Sequence, residues 1–239
     1  MQGLDRTATL AQLVTEHPAA ARVFQKHGMD YCCHGDVSVP DACRAVPLDP
    51  EAVFAEIEEA LDAAANEPAG DGDPRALSLD ALIERIVETH HAYLRHALPY
   101  IEPLLAKVVA AHGPRDARLA ELRATFLELS DALLPHLDDE EEVLFPALRS
   151  ERPDRLLVNR ELERMRTDHL AVGDLLARIR TLAHGYAIPE WACRTYRVLM
   201  TELEAVEADT LRHVHLENHV LAPRASRASG SVRTSRDGQ

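Results

Sequence analysis

The chain has 239 residues, 46% of them hydrophobic, and a formal net charge of -14. That is enough apolar material for one large or two modest domains, while the acidic balance excludes nucleic acid or an anionic membrane as the main partner, since both need a basic footprint. Few aromatics, ten glycines and abundant Ala, Leu, Glu and Arg point to an all-α protein.

The first residues, Met1 to Val14, hold no apolar run long enough for a signal peptide, and no stretch approaches the roughly 20 apolar residues of a membrane span. A cytoplasmic location is therefore expected. Thr9 or Thr7 is placed to cap a helix carrying Leu10, Leu13 and Val14, and Pro18 suits the first turn of the next, which carries Ala20, Val23 and Phe24. Gly28 should end it. Met29-Asp30-Tyr31-Cys32-Cys33-His34-Gly35 then reads as a tight turn presenting two thiols and an imidazole. Adjacent cysteines have poor geometry for a disulfide, so free thiols are expected. A third short helix repeats apolar residues at Val53, Phe54, Ile57, Ala60 and Leu61.

Residues 1–65 thus form a small helical domain, and 66–77, rich in Pro, Gly and Asp, a linker. From Ser78 onward four periodic segments, about 79–111, 116–149, 154–183 and 189–221, predict an up-down-up-down four-helix bundle over 78–223. Pro99, Pro103 and Pro135 are expected to bend or break their helices. The tail 224–239 lacks apolar content and reads as disordered.

Two stretches of the bundle share one pattern, H-x-x-x-E-x-x-x-L-x-P, at His136–Pro146 and again, 77 positions on, at His213–Pro223. Residues four apart lie on one helix face, so each copy can aim an imidazole and a carboxylate at one point. The other two helices each interrupt their apolar stripe with histidine: one of His90 and His91 in the first, and His169 in the third. Counting along antiparallel helices sets His91 and His136 each 22 residues (113 minus 91; 136 minus 114) from the first turn, or about 33 Å. His169 matches His136/Glu140 across the second turn. Across the third, His169 lies 16 residues before Gly185 and His213 lies 24 after Pro189, a mismatch that a longer irregular link or an overhanging helix must absorb.

Any one of these histidines alone is better read as a core side chain with a hydrogen-bond partner. Four of them with two glutamates at one height are different, because two buried carboxylates repel and each carries a desolvation penalty of several kcal/mol unless a cation compensates. A two-metal site follows. Mixed imidazole and carboxylate ligands suit iron, manganese or zinc.

On these residues the second domain resembles the hemerythrin-like four-helix bundles. The first, through L-x-x-L-V-x-x-x-P-x-A-A-x-V-F and M-D-Y-C-C-H-G followed by D-A-C, looks like the N-terminal domain of the iron–sulfur cluster repair di-iron proteins. The resemblance runs from Leu10 to Pro223. It implies a non-haem, carboxylate-bridged centre of two iron ions held by His91, His136, Glu140, His169, His213 and Glu217. It further implies repair or protection of iron–sulfur proteins damaged by nitric oxide or oxidants, by iron donation or by nitric oxide reduction, with nitric oxide or oxygen as small ligands. The alternative is a hemerythrin-like oxygen or nitric oxide binding module without repair activity, which would have no need of the dicysteine domain. A homodimer is left open.

On the motif match Cys32 and Cys33 read as redox or client-facing residues, for transient iron or cluster binding or redox exchange with a partner, rather than as two small buried side chains; Cys43 reads as packing, and Cys193 as a fourth-helix residue with no special role. This chain has His34-Gly35 where the family usually has Gly-Gly; His34 either tunes the thiols or is a solvent-exposed turn residue. It also has Ala222 in the second L-x-P. His215 and His219 are expected to point away from the centre, and Glu141 and Glu142 to be solvated.

Overall fold

A computed structural model describes residues 4–44, 47–65 and 72–230. Among the described residues there are eight helices and no strand, only an isolated antiparallel bridge between Thr9 and Ser38. The N-terminal unit holds α1 (Leu10–Glu16), α2 (Ala20–Lys26), α3 (Val39–Cys43) and α4 (Pro50–Ala65). Thr9 caps α1 in a reciprocal box, accepting from the Gln12 backbone N–H while Gln12 Oε1 accepts from its own. Gly28, at φ +65°, supplies the left-handed turn that ends α2. The short α3 was not expected; Ser38 caps it and Pro40 stands in its first turn.

The bundle comprises α5 (residues 79–112), α6 (118–149), α7 (Arg155–Leu182) and α8 (194–230). Ser78, Asp154 and Cys193 cap α5, α7 and α8. Short connections make successive helices neighbours, with α5 packed on α6 and α8 and α7 packed on α6 and α8. The helices run through Pro99, Pro103 and Pro135 without a break. Their irregularities lie elsewhere, in π-helical segments at Ile86–His91 of α5, Glu140–Leu144 of α6 and Leu216–Leu221 of α8. A π turn inserts one residue into the ladder and re-aims the side chains beside it, and such turns gather at functional sites.

Two corrections concern α8. It begins at Arg194 rather than near 189, after an irregular link that includes His184 and Tyr186 at positive φ. That leaves 19 residues (213 minus 194) before His213, against 13 (182 minus 169) from His169 to the end of α7, which narrows the height mismatch from eight residues to six. The helix also continues to Gly230, so 224–230, expected within a disordered tail, are helical: Ala225 is buried and Arg224 donates to the Leu77 carbonyl at 2.7 Å. Residues 231–239 and the first half of the expected linker, 66–71, lie outside the described residues. Among the described residues no helix is long and apolar enough to cross a membrane.

The bundle core is split in two. One apolar cluster, around Leu98, Leu105, Phe126, Leu176 and Leu199, fills one half. The other half holds Leu82, Ile86, Phe145, Leu162, Met165 and Leu221. On every helix the histidine expected to face inward falls between them. The N-terminal unit builds its own core on Leu13, Phe24, Tyr31 and Ile57 and docks it on α8, whose Val214 belongs to that cluster. Arg180 of α7 fastens the seam, donating to Glu207 at 2.5 Å and to the Lys26 carbonyl at 3.4 Å.

Candidate metal centre

The polar layer between the two apolar clusters consists of His91, His136, Glu140, His169, His213 and Glu217, all at most 4% exposed. They form two overlapping groups, His91, Glu140, His213 and Glu217 on one side and His136, Glu140, His169 and Glu217 on the other, each with its ligand-type atoms within 4.8 Å of one another. Within each pair the Nε2 atoms converge, to 3.2 Å for His91 and His213 and 3.2 Å for His136 and His169. The glutamates belong to both groups. Glu140 turns Oε2 toward His91, at 3.4 Å, and Oε1 toward His136, also at 3.4 Å. Glu217 turns Oε1 toward His213, at 2.9 Å, and Oε2 toward His169, at 3.1 Å.

The donor set fits two cations. All four carboxylate oxygens are buried and, among the described residues, face only the imidazoles of the layer, a state whose cost of several kcal/mol per ion calls for a compensating charge. Two imidazole nitrogens and two carboxylate oxygens per group suit a first-row transition metal and leave coordination positions free for a small ligand. Electrostatics of the protein alone point the same way. Burial pulls the His91 imidazolium down, yet Glu140 and Glu217 outweigh it and push His91 up to about 10. His169 is pushed up to about 9 against the same burial, chiefly by Glu217. Glu217 is held well below the carboxylate range against its own burial by His213, His169 and His91. The pocket thus holds protons where two metal ions would supply the positive charge.

The outer nitrogen of three imidazoles is also fixed. His91 Nδ1 meets Glu141 Oε1 at 2.8 Å, His136 Nδ1 meets Asp168 Oδ2 at 3.3 Å, and His169 Nδ1 meets Asn218 Oδ1 at 3.0 Å. These partners hold each Nδ1 as the donor and leave the Nε2 lone pair facing inward. Each partner is next in sequence to one inward-facing residue yet serves another helix, so no spacing within one helix marks it. Glu141, expected to be solvated, is therefore part of this frame, and Arg95 also binds it at 2.9 Å. His213 differs: its Nδ1 has no partner, and its ring stacks on His90, which meets Asp209 at 2.9 Å. Both adjacent histidines of α5 are buried, although the stripe required only one, because the π segment turns both inward.

A groove of about 210 Å³, including space open to solvent, leads to the His136/Glu140 edge. Arg164 stands in it, paired with Asp139 and with Glu161 at 3.5 Å.

The dicysteine turn lies on the other side of the layer. Cys32 is buried and Cys33 half-buried, both as free thiols. Read from the sequence as redox or client-facing, they pack against the bundle: Asn218 Nδ2 and His219 Nε2 hold the Cys32 carbonyl at 3.1 and 2.9 Å and Cys33 Sγ donates to the His169 carbonyl at 3.4 Å. The Cys33 thiol and burial push the Cys32 thiol well above its usual range. His34 is the exposed member, bound to Asp30 at 2.7 Å. His215 and His219 do point away from the centre, toward the N-terminal unit, where His215 meets Thr15 at 3.0 Å. Cys43 is packed as expected, whereas Cys193 is exposed beside His112 and its thiol is lowered by that contact.

Comparison with known proteins agrees with this architecture. Residues 82–225 match the hemerythrin HHE cation binding domain and 6–61 match ScdA_N, a domain of unknown function. The iron–sulfur cluster repair protein ScdA of Staphylococcus haemolyticus is 33% identical over 216 residues, 89% of this chain and 95% of its own length. The iron–sulfur cluster repair protein YtfE of Yersinia pseudotuberculosis is 31% identical over 226 residues, 93% of this chain and 98% of its own length. The chain belongs to the ScdA/YtfE family. In this ScdA/YtfE member the His and Glu layer lies within the stretch that matches the cation-binding domain, and its two groups could each hold a metal ion.

Proposed function

We propose that this protein is a non-haem di-iron protein that repairs or protects iron–sulfur clusters damaged by nitric oxide or oxidants. The observation that carries the reading is the division of the Glu140 and Glu217 oxygens between two histidine pairs. One iron would be held by His91 and His213, the other by His136 and His169, with both glutamates shared. When bound, the iron pair supplies redox chemistry and open positions for nitric oxide or oxygen, and is itself a store that a damaged cluster can draw on. The names of the relatives support the repair role.

The chain's own residues perform two tasks in this reading. Glu141, Asp168 and Asn218 orient the imidazoles. The apolar clusters above and below keep bulk water from the layer. The groove beside His136 carries Asp139, Glu161 and Asp168 around the single cation of Arg164, so its lining is acidic in balance. Four free thiols fit a reducing compartment, and we place the protein in the cytoplasm.

The test is metal analysis joined to a repair assay. Purified protein should carry about two iron atoms per chain and restore activity to a dehydratase whose cluster nitric oxide has broken. One zinc per chain, or iron-loaded protein that restores nothing, would reject the reading.

A further inference from the structure

A third cluster of metal-type side chains lies outside the di-metal layer, at Asp30, Cys32 and Cys33, with ligand-type atoms within 4.8 Å of one another. The two sulfurs are 3.5 Å apart and Asp30 Oδ1 is 3.2 Å from Cys32 Sγ. One ion at the usual bond lengths of about 2.3 Å to sulfur and about 2.0 Å to oxygen can touch both neighbours at these separations. We propose that Asp30, Cys32 and Cys33 form a second metal site, a transfer position for one thiophilic divalent ion between solvent and the di-metal centre.

The turn is built to hold these atoms together before any ion arrives. Asp30 Oδ1 accepts from the backbone N–H groups of Cys32 and Cys33 at 3.0 and 2.8 Å, which folds the carboxylate over both residues. His34 Nδ1 fixes the other carboxylate oxygen at 2.7 Å, the outer support that metal-binding carboxylates usually have. Gly35 closes the turn so tightly that a Cβ there would stand 2.3 Å from the Tyr31 carbonyl oxygen. Asn218 and His219 anchor the Cys32 carbonyl from α8.

Its position gives the site a use. Asp30 and His34 side chains are 35% and 70% exposed, so the carboxylate edge is open to solvent. On the opposite edge Cys33 Sγ touches the carbonyl of His169, and Asn218 links the Cys32 carbonyl to the His169 ring. An ion held here lies beside the backbone of His169, whose ring belongs to the inner layer. Two thiolates and a carboxylate suit iron(II) or zinc(II). As the ion binds, the two thiol protons leave to solvent. The ion class follows from the ligands; that iron(II) is the cargo rests on the repair reading.

Cobalt(II) added to the full-length, iron-loaded protein tests the site directly. One further equivalent should bind with a thiolate-to-cobalt charge-transfer band, lost in Cys32→Ser/Cys33→Ser, weakened at least tenfold in Asp30→Asn and unchanged in Cys43→Ser. Absence of the band, or its persistence in the double variant, overturns the site. Zinc(II) should also slow alkylation of Cys33 in the unaltered protein while leaving Cys193 unaffected; equal rates with and without zinc overturn it without recourse to variants. If the cobalt band forms but the protein repairs no cluster, the site stands and its iron cargo does not.

Discussion

Asn218 joins His169 to Cys32: its Oδ1 lies 3.0 Å from His169 Nδ1 and its Nδ2 donates to the Cys32 carbonyl at 3.1 Å. One side chain thus orients a proposed iron ligand and anchors the thiol turn of the other domain. Asn218→Leu should weaken iron binding about 10–100-fold, the usual cost of losing such a partner. Asn218→Asp keeps the acceptor and removes the donor, so it should retain iron while loosening the turn. Chelator competition checks the first effect and hydrogen exchange at 29–35 the second. Equal iron loss in both variants would deny the division of roles.

Glu217 and Glu141 differ in what they touch. Glu217→Ala removes one of two carboxylates shared by the histidine pairs and should reduce bound iron to about one atom or less per chain. Glu141→Ala leaves the six inner side chains in place but frees His91 Nδ1 and Arg95. It should keep two iron atoms at saturation with affinity lowered about 10–100-fold. Metal analysis at saturating and at limiting iron separates the two.

Removing the metal should change how stability depends on pH. In the metal-free protein His91 and His169 are raised to about 10 and about 9. Their contribution is complete below the unfolded value near 6.5 and is lost as pH climbs through 9 to 10. Glu217, held below its ordinary value, contributes above that value and loses its contribution on acidification. Iron needs neutral imidazoles, so its binding strengthens over the same alkaline rise. The difference in Tm between iron-loaded and chelator-stripped protein should widen from pH 6.5 to 9. A constant difference would show that proton and metal do not compete for these side chains.

Gly35→Ala should disturb the thiol turn selectively. The added Cβ would meet the Tyr31 carbonyl at 2.3 Å and Ala11 Cβ at 2.8 Å, and neither is the free end of a flexible side chain. A loss of about 1–3 kcal/mol is expected for such overpacking, visible as earlier unfolding of the N-terminal unit with the iron content of the bundle unchanged. Loss of iron together with the turn would mean that the two units fold as one.

The sequence by itself determined the four helices of the bundle and five of the six inner residues. Period-3.6 apolar stripes place a side chain on a face, and His136/Glu140 and His213/Glu217, four apart on single helices, declare their shared direction without any partner. His91 needed more: the stripe left it level with His90, and only the resemblance chose between them. Tertiary structure decided the rest, because it depends on which helices meet. Glu141 serves His91, Asp168 serves His136 and Asn218 serves His169, each across a helix boundary that no spacing crosses. The three π segments are likewise choices of packing around the layer rather than of local propensity. The direction of Cys32 and Cys33 was settled by hydrogen bonds from α8 residues 186 and 187 positions away. A tight turn can point its thiols either way, and the docking of one domain on the other turned them toward the metal layer.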